Sequence, residues 1–190
     1  MTVALAIPLS TTDYLHGERQ VPEKHEYIQG QIYAMAGASR EHNQLVFNLA
    51  GLLHAQLRAK PCSAFVADMR VRTRPNEAYF YPDLAVVCGE LQFEDEQSDT
   101  LLNPSVIIEV LSPSTEGYDR GAKFAHYRRL DSLQEYLLVA QDRLSMECYR
   151  RAPQGQWLLS EVNEGEDEIT LKSINCLLKV RDVYEKVLID

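Results

Sequence analysis

The stretch NPSVIIEVLSPST, from Asn103 to Thr115, contains one carboxylate, Glu109, inside an otherwise apolar run. Successive side chains of a β-strand point to opposite faces, so Ile107, Glu109 and Leu111 share one face, and the valines and isoleucine between them share the other. Apolar residues on both faces predict a strand that is buried on both sides. An unpaired carboxylate costs several kcal/mol in such a place, so the pattern predicts a compensating group beside Glu109.

The segments on either side of this strand predict a mixed α/β or α+β fold, in which a mixed β-sheet core is flanked by helices and extended by additional antiparallel strands. Periodicity, caps and turn residues define these segments. In chain order they are a helical turn at 12–16, a hairpin bending at Gln29-Gly30, a helix from about Arg40 to Ala59 capped by Ser39, strands at 64–74 and 80–88 separated by Pro75-Asn76, the Glu109 strand, a helix carrying Phe124, Tyr127 and Leu130 after breaks at Pro113 and Gly117, a strand at 135–140, and two antiparallel strands around Pro153-Gln154-Gly155.

The chain has 190 residues, of which 45% are hydrophobic and 25% charged, and this is ordinary globular composition. We expect a single domain over residues 1–190, with residues 1–20 as an N-terminal extension. No stretch of 18 apolar residues and no basic leader occurs, so we expect a soluble, cytoplasmic protein without a membrane partner.

The formal net charge of −9 argues against a nucleic-acid partner, because phosphate binding usually requires a basic surface. Much of the acid lies in two segments, 90–99 and 161–168, and the rest of the chain is close to neutral. We expect the first segment to be a solvated loop and the second to be the edge of a late hairpin. Arg70, Arg72 and Arg74 alternate along a predicted strand, where they form either a weakly basic surface or ordinary solubilising charges.

The four cysteines are Cys62, Cys88, Cys148 and Cys176. They form no CxxC pair and no Cys/His cluster, and their surroundings are apolar. We therefore expect reduced thiols in the core.

A second carboxylate, Asp83, precedes the apolar run Leu84 to Val87 in the segment YFYPDLAVVC. If the two strands are neighbours, Asp83 and Glu109 converge, and two carboxylates that lie close together repel unless a proton or cation separates them. Mg²⁺ accepts oxygen ligands from one or two carboxylates and completes its shell with water. The helix after the Glu109 strand could bring Lys123 to the same place, and an ammonium there could orient water or offset charge on a phosphate. These groups suit phosphodiester hydrolysis.

These residues resemble a known family. A Pro-Asp pair followed by a glutamate in an apolar strand is similar to the signature of the PD-(D/E)XK, or restriction-endonuclease-like, nucleases. The segments HEYIQGQIYAM, YPDLAVV and VIIEVLSPST, followed by Asp119, Lys123 and Tyr127 and then EYLLV, more closely resemble the Uma-type branch of that superfamily. The resemblance covers residues 14–150, and its most specific part is the EVLSPST run with Lys123 downstream.

The resemblance implies roles for individual residues. Asp83 and Glu109 would bind Mg²⁺ or Mn²⁺ together with the backbone carbonyl of Val110. The motif lysine should lie two residues after Glu109, where this chain has Leu111, so Lys123 would supply it from the following helix.

Glu26 and His42 also fall where this branch tends to carry Glu and His, and we include them as candidate catalytic residues. By analogy with nucleases that cut both strands, the resemblance also favours a homodimer.

The predicted function is therefore metal-dependent endonuclease activity on a nucleic acid, with DNA favoured by the resemblance. Two alternatives stay open at this point. One is a catalytically inactive module of the same fold that binds nucleic acid or protein. The other is a metal-free hydrolase that uses Asp83 and Glu109 as acid and base on a substrate such as a glycoside.

Overall fold

A computed structural model describes residues 8–35 and 37–189. The α-helices are α1 (Thr11–Glu18), α2 (Arg40–Leu57), α3 (Glu116–Tyr118), α4 (Phe124–Tyr127) and α5 (Val180–Val183), with a π-helical turn at Asp119–Lys123 and a 3-10 turn at Pro153–Gly155. The strands are β1 (His25–Ile28), β2 (Gln31–Ala34), β3 (Cys62–Val66), β4 (Arg70–Arg74), β5 (Ala78–Phe80), β6 (Leu84–Cys88), β7 (Thr100–Leu101), β8 (Val106–Leu111), β9 (Glu135–Ala140), β10 (Met146–Arg151), β11 (Trp157–Val162), β12 (Glu168–Leu171) and β13 (Cys176–Lys179). Within the described ranges, no helix is long and apolar enough to cross a membrane.

The central sheet has six strands in the order β11-β10-β9-β8-β6-β3. The pair β8–β9 is parallel and the other pairs are antiparallel, so the sheet is mixed. The parallel pair needs a crossover, which the helical segment from α3 to α4 supplies. We call this segment, Glu116 to Tyr127, the lysine helix. The predicted mixed sheet flanked by helices is confirmed.

The amphipathic helix α2 covers one face of this sheet. Its N-cap is Ser39, whose Oγ accepts the His42 N–H at 3.0 Å, as predicted. Leu45, Leu49 and Leu53 recur every four residues and are fully buried against β6, β8 and β9. Burying one such leucine stabilises the fold by about 1.5–3 kcal/mol, so this stripe fixes α2 and the residues at its N-terminus.

The opposite face of the central sheet packs against the lysine helix and a second sheet. This second sheet has the order β2-β1-β5-β4-β7. The side chains of β8 alternate as predicted: Ile108 and Val110 join the α2 core, whereas Ile107 and Leu111 join the core under the lysine helix. Glu109 therefore points toward the lysine helix.

Two predicted strands are each divided in two. The expected strand 64–74 is interrupted after Val66, where Ala67 adopts a positive φ of 55°, and the expected strand 80–88 is interrupted after Phe80. The first half of the 64–74 segment forms β3 and the second half of the 80–88 segment forms β6, and these two pair in the central sheet. The other halves form β4 and β5, which pair in the second sheet. The predicted Pro75-Asn76 turn is confirmed, but it joins strands of the second sheet. The residue pattern does not show the division, because it depends on which distant strand each half pairs with.

The first acidic segment, 90–99, is a loop with several exposed residues, as predicted, but some of its carboxylates are held in ion pairs. Asp99 pairs with Arg70 and, at 2.7 Å, with Arg19, and Glu94 pairs with Arg72 at 2.8 Å. The arginines that were expected to make a weakly basic surface are thus largely neutralised within the molecule.

The prediction of four reduced thiols was wrong for two of them. Cys62 and Cys88 form a disulfide between β3 and β6, where they are direct cross-strand partners. Only the strand register brings them together, because 26 residues separate them along the chain. Cys148 and Cys176 are buried and free, as expected.

Reduction of this disulfide is expected to destabilise the protein by about 3 kcal/mol, because it releases a loop of 26 residues in the unfolded chain. Thermal unfolding with and without dithiothreitol measures the effect as a lower Tm in reductant. The double variant Cys62→Ser/Cys88→Ser is the control, since its Tm should not respond to reductant. Equal Tm values for the wild type under both conditions would contradict the prediction.

Candidate active site

Asp83 and Glu109 lie side by side at the same position of neighbouring strands. In the antiparallel pair β6–β8, Leu84 is the register partner of Ile108, so the preceding Asp83 falls beside Glu109. Asp83 Oδ2 accepts the backbone N–H of Val110 at 2.7 Å, which ties this carboxylate to the end of β8. The sheet therefore brings together the two carboxylates that the sequence singled out.

His42 meets Asp83 from the first turn of α2. Its Nε2 lies 3.2 Å from Asp83 Oδ2, the same oxygen that accepts the Val110 N–H. Two groups thus orient one oxygen of Asp83, while its Oδ1 accepts no hydrogen bond from the described residues.

Lys123 reaches Glu109 from the π-helical turn of the lysine helix. Its Nζ lies 2.9 Å from Glu109 Oε1 and 3.0 Å from Glu26 Oε1, and Asp119 Oδ1 is 3.7 Å away. Glu26 is in β1, so the second sheet also contributes to the cluster. The compensating group predicted beside Glu109 is the ammonium of Lys123.

Leu111, at the position of the motif lysine, is buried in the core under the lysine helix. Its side chain faces the same side of β8 as Glu109, so a lysine there would point toward the same region. In this chain the ammonium reaches Glu109 from a different element.

Tyrosines position the carboxylates and the π-helical turn. The Tyr127 hydroxyl donates to Glu109 Oε1 at 3.1 Å and the Tyr118 hydroxyl donates to Glu26 Oε2 at 3.2 Å. The Tyr136 hydroxyl donates to the backbone carbonyl of Asp119 at 3.1 Å. Burial raises the pKa of Tyr127 well above its ordinary value, so its hydroxyl stays protonated and remains a donor.

The cluster contains more negative than positive groups. Burial, together with the charges of Asp83 and Asp119, raises the pKa of Glu109 well above its ordinary value, although Lys123 opposes the shift. Burial also raises the pKa of Asp119. For Lys123, burial favours the neutral amine, but the carboxylates of Glu109, Glu26 and Asp119 outweigh it and raise the pKa. Lys123 therefore stays an ammonium, and the surrounding carboxylates outnumber it.

The donor set fits a hard divalent cation. Among the described residues, no group of three or more His, Cys, Asp or Glu side chains is arranged to hold a metal ion. Asp83 Oδ1 and Glu109 Oε2, however, accept no hydrogen bond from the described residues, and together they offer two carboxylate oxygens. Mg²⁺ is commonly bound through one or two carboxylates with water completing its shell, and a cation would offset the excess negative charge.

A comparison with protein families identifies the chain. The family model described as "Uma2: Putative restriction endonuclease" matches residues 12–179. The chain belongs to the Uma2 family. The family and the fold are those of restriction-endonuclease-like nucleases, which hydrolyse phosphodiester bonds, and the resemblance found in the sequence is confirmed.

Individual relatives of this Uma2 protein also match over most of its length. Uncharacterized protein sll1609 of Synechocystis is 43% identical over 169 residues, covering 89% of this chain and 96% of the relative. Uncharacterized protein slr1290 of the same organism is 36% identical over 176 residues, covering 93% of this chain and 91% of the relative. A crystal structure from Anabaena variabilis, described as a "putative nuclease belonging to DUF820", shares the fold with a TM-score of 0.74 at 19% identity, covering 95% of this chain and 100% of that chain.

The structure of this Uma2 protein places all five candidate side chains in one region and adds residues to which the sequence assigned no specific role. Asp119, Lys123 and Tyr127 are spaced four residues apart and lie along one side of the lysine helix, and this spacing is the signal that could have identified Asp119. Tyr127 is fully buried, and its hydroxyl donates to Glu109. The neighbouring Arg120 is paired with Glu116 and Glu147.

Proposed function

We propose that this protein is a metal-dependent endonuclease that hydrolyses phosphodiester bonds in DNA. The observation that carries the proposal is the pair of adjacent carboxylates, Asp83 and Glu109, each with one unpaired oxygen among the described residues, beside the buried ammonium of Lys123. Membership of the Uma2 family supports the reaction class, and DNA follows from the resemblance to restriction endonucleases.

Asp83 and Glu109, with the backbone carbonyl of Val110, would hold Mg²⁺ or Mn²⁺. Such an ion supplies Lewis-acid polarisation of the scissile phosphate and makes water a stronger nucleophile at neutral pH. His42 and the Val110 N–H fix one oxygen of Asp83, and Tyr127 fixes one oxygen of Glu109. The other oxygens of Asp83 and Glu109 are thereby held in place before the metal ion binds, which limits the conformational entropy lost on binding.

Lys123 acts as a hydrogen-bond donor and a fixed positive charge. Because its pKa is raised, it is protonated at neutral pH and is not available as a general base. Glu109 and Glu26 lie within 3.0 Å of its Nζ, whereas Asp119 is 3.7 Å away, which leaves one of its three N–H groups for water or a phosphate oxygen. Lys123 would orient the attacking water and offset the negative charge that develops on the phosphate.

Glu26 positions Lys123 and does not bind the metal in this proposal. One of its oxygens contacts Lys123 and the other accepts from Tyr118. A carboxylate held at both oxygens has less freedom to become a ligand, so we assign Glu26 to the lysine side of the site.

The test is cleavage of plasmid and oligonucleotide DNA by the purified protein in Mg²⁺, in Mn²⁺ and in EDTA. We expect cleavage with either metal and none in EDTA, because the carboxylate pair needs the cation. Isothermal titration calorimetry with Mg²⁺ should show binding to the wild type and much weaker binding to Asp83→Asn. A folded protein that neither binds Mg²⁺ nor cleaves DNA would favour the non-catalytic module, and glycoside hydrolysis that persists in EDTA would favour the metal-free hydrolase.

A further inference from the structure

The edge strand of the second sheet exposes large apolar side chains. Among the described residues, strand β2 pairs only with β1 and is the edge of its sheet. All four of its residues are exposed. Ile32 is 50% exposed and Tyr33 47%, and Met35, which follows the strand, is 42% exposed. Exposed groups of large apolar residues on an otherwise polar surface often mark contact sites.

Tyr33 lies next to the candidate active site. It is the register partner of Glu26 in the β1–β2 hairpin, and directly opposite residues project from the same face of a sheet. Glu26 contacts Lys123 at 3.0 Å. Only the side chain of Glu26 therefore separates Tyr33 from Lys123, the residue that we propose acts on the scissile phosphate. Tyr33 is about half exposed on that face.

The charge distribution restricts what can bind there. Binding of duplex DNA depends mainly on lysines and arginines that replace counterions along the phosphates. Here Arg70, Arg72 and Arg120 are paired with carboxylates. Arg40, exposed at the start of α2, has no ion pair with the described residues and precedes His42 by two positions. An exposed aromatic ring near Glu26 and an unpaired, exposed arginine near His42 would suit the mode in which single strands bind, by base stacking with few phosphate contacts.

We propose that Tyr33 is a stacking platform for an unpaired base of the substrate strand next to the scissile phosphate, with Arg40 contacting an adjacent phosphate. The preferred substrate is then single-stranded DNA, or a duplex that is locally unpaired at the cleavage point. This proposal rests on the proposed nuclease function and specifies its substrate class.

The test measures binding separately from cleavage. Fluorescence anisotropy of labelled single-stranded and duplex oligonucleotides of one sequence, in EDTA at low ionic strength, reports the Kd for wild type, Tyr33→Phe, Tyr33→Ala and Leu159→Ala. Leu159 is a matched control because it is similarly exposed, on the edge strand β11 of the central sheet. We expect Tyr33→Ala to weaken single-strand binding about 5- to 150-fold, with Tyr33→Phe and Leu159→Ala within about twofold of wild type. Quenching of 2-aminopurine in the strand should disappear only in Tyr33→Ala.

Three results would overturn the proposal. The first is tighter binding of the duplex than of the single strand, and the second is equal single-strand affinity for Tyr33→Ala and wild type. The third is a wild-type dimer in sedimentation that Tyr33→Ala dissociates, because β2 would then be a subunit interface. Cleavage in Mg²⁺ is assayed in parallel, so that the two proposals can fail separately. If the wild type cleaves DNA but Tyr33→Ala binds single strands as well as wild type does, only the stacking role fails. If Tyr33→Ala weakens binding but the wild type does not cleave DNA, only the nuclease function fails.

Discussion

Replacing Asp83 with asparagine is expected to lower the DNA cleavage rate by at least about 10²–10³-fold in Mg²⁺, while the protein stays folded. The substitution removes one of the two carboxylates proposed to hold the metal, and the loss of a single preorganised electrostatic contact already lowers rates by about this much. Asparagine is nearly isosteric and retains a carbonyl oxygen that can accept the Val110 N–H, so the link between β6 and β8 should persist.

The measurement is the initial rate of plasmid nicking, with circular dichroism and a thermal melt to establish folding. Asp131→Asn is the matched control, because Asp131 is an exposed carboxylate away from the cluster. Its rate should equal that of the wild type. Cleavage by Asp83→Asn at the wild-type rate would rule out Asp83 as a metal ligand and with it the proposed mechanism.

Replacing Lys123 with methionine is expected to destabilise the fold by about 3–5 kcal/mol at pH 8, because it leaves buried carboxylates without their cation. Methionine has a similar length and packs well in apolar surroundings, so the missing charge dominates the effect. Lys123 contacts Glu109 and Glu26 within 3.0 Å, and all three side chains are at least 90% buried. Cleavage should also fall, by about 10²–10³-fold, because the variant loses the positive charge proposed to orient the attacking water and offset charge on the phosphate.

The destabilisation should depend on pH in a definite direction. The ammonium of Lys123 lowers the pKa of Glu109, so its removal leaves that pKa further above its ordinary value. A carboxyl whose pKa is higher in the folded than in the unfolded state binds protons more readily when folded, so stability falls as the pH rises above about 4.3, the unfolded value. The variant should therefore be closest to wild type near pH 5 and furthest from it near pH 8.

Urea unfolding at both pH values measures this difference. Arg128→Met serves as the control, because Arg128 is an exposed cation just beyond the end of α4, and its effect should stay within about 0.5 kcal/mol. A Lys123→Met variant as stable as wild type at pH 8 would contradict the view that its ammonium compensates the buried carboxylates.

Much of the architecture was predictable because its signals are local. The four-residue spacing of leucines in α2, its Ser39 cap and the hairpin bend at Gln29-Gly30 are each encoded within a few residues. The alternation around Glu109 predicted a strand buried on both faces, and β8 is such a strand. What failed was non-local: the division of two strands between sheets, the Cys62–Cys88 disulfide and the arginine pairs of the acidic segment all depend on partners distant in the chain.

By itself, the sequence determined that a buried carboxylate at Glu109 needs a positive partner, since no apolar strand tolerates an unpaired charge at low cost. It also indicated Asp83 and Lys123 as companions. Only the tertiary structure decided how these residues contact each other. The β6–β8 register places Asp83 beside Glu109. The π-helical segment Asp119–Lys123 points the side chain of Lys123 toward both Glu109 and Glu26. Register and helix rotation are set by packing between distant segments, so the distances that define this site arise only when the sheets close around the lysine helix.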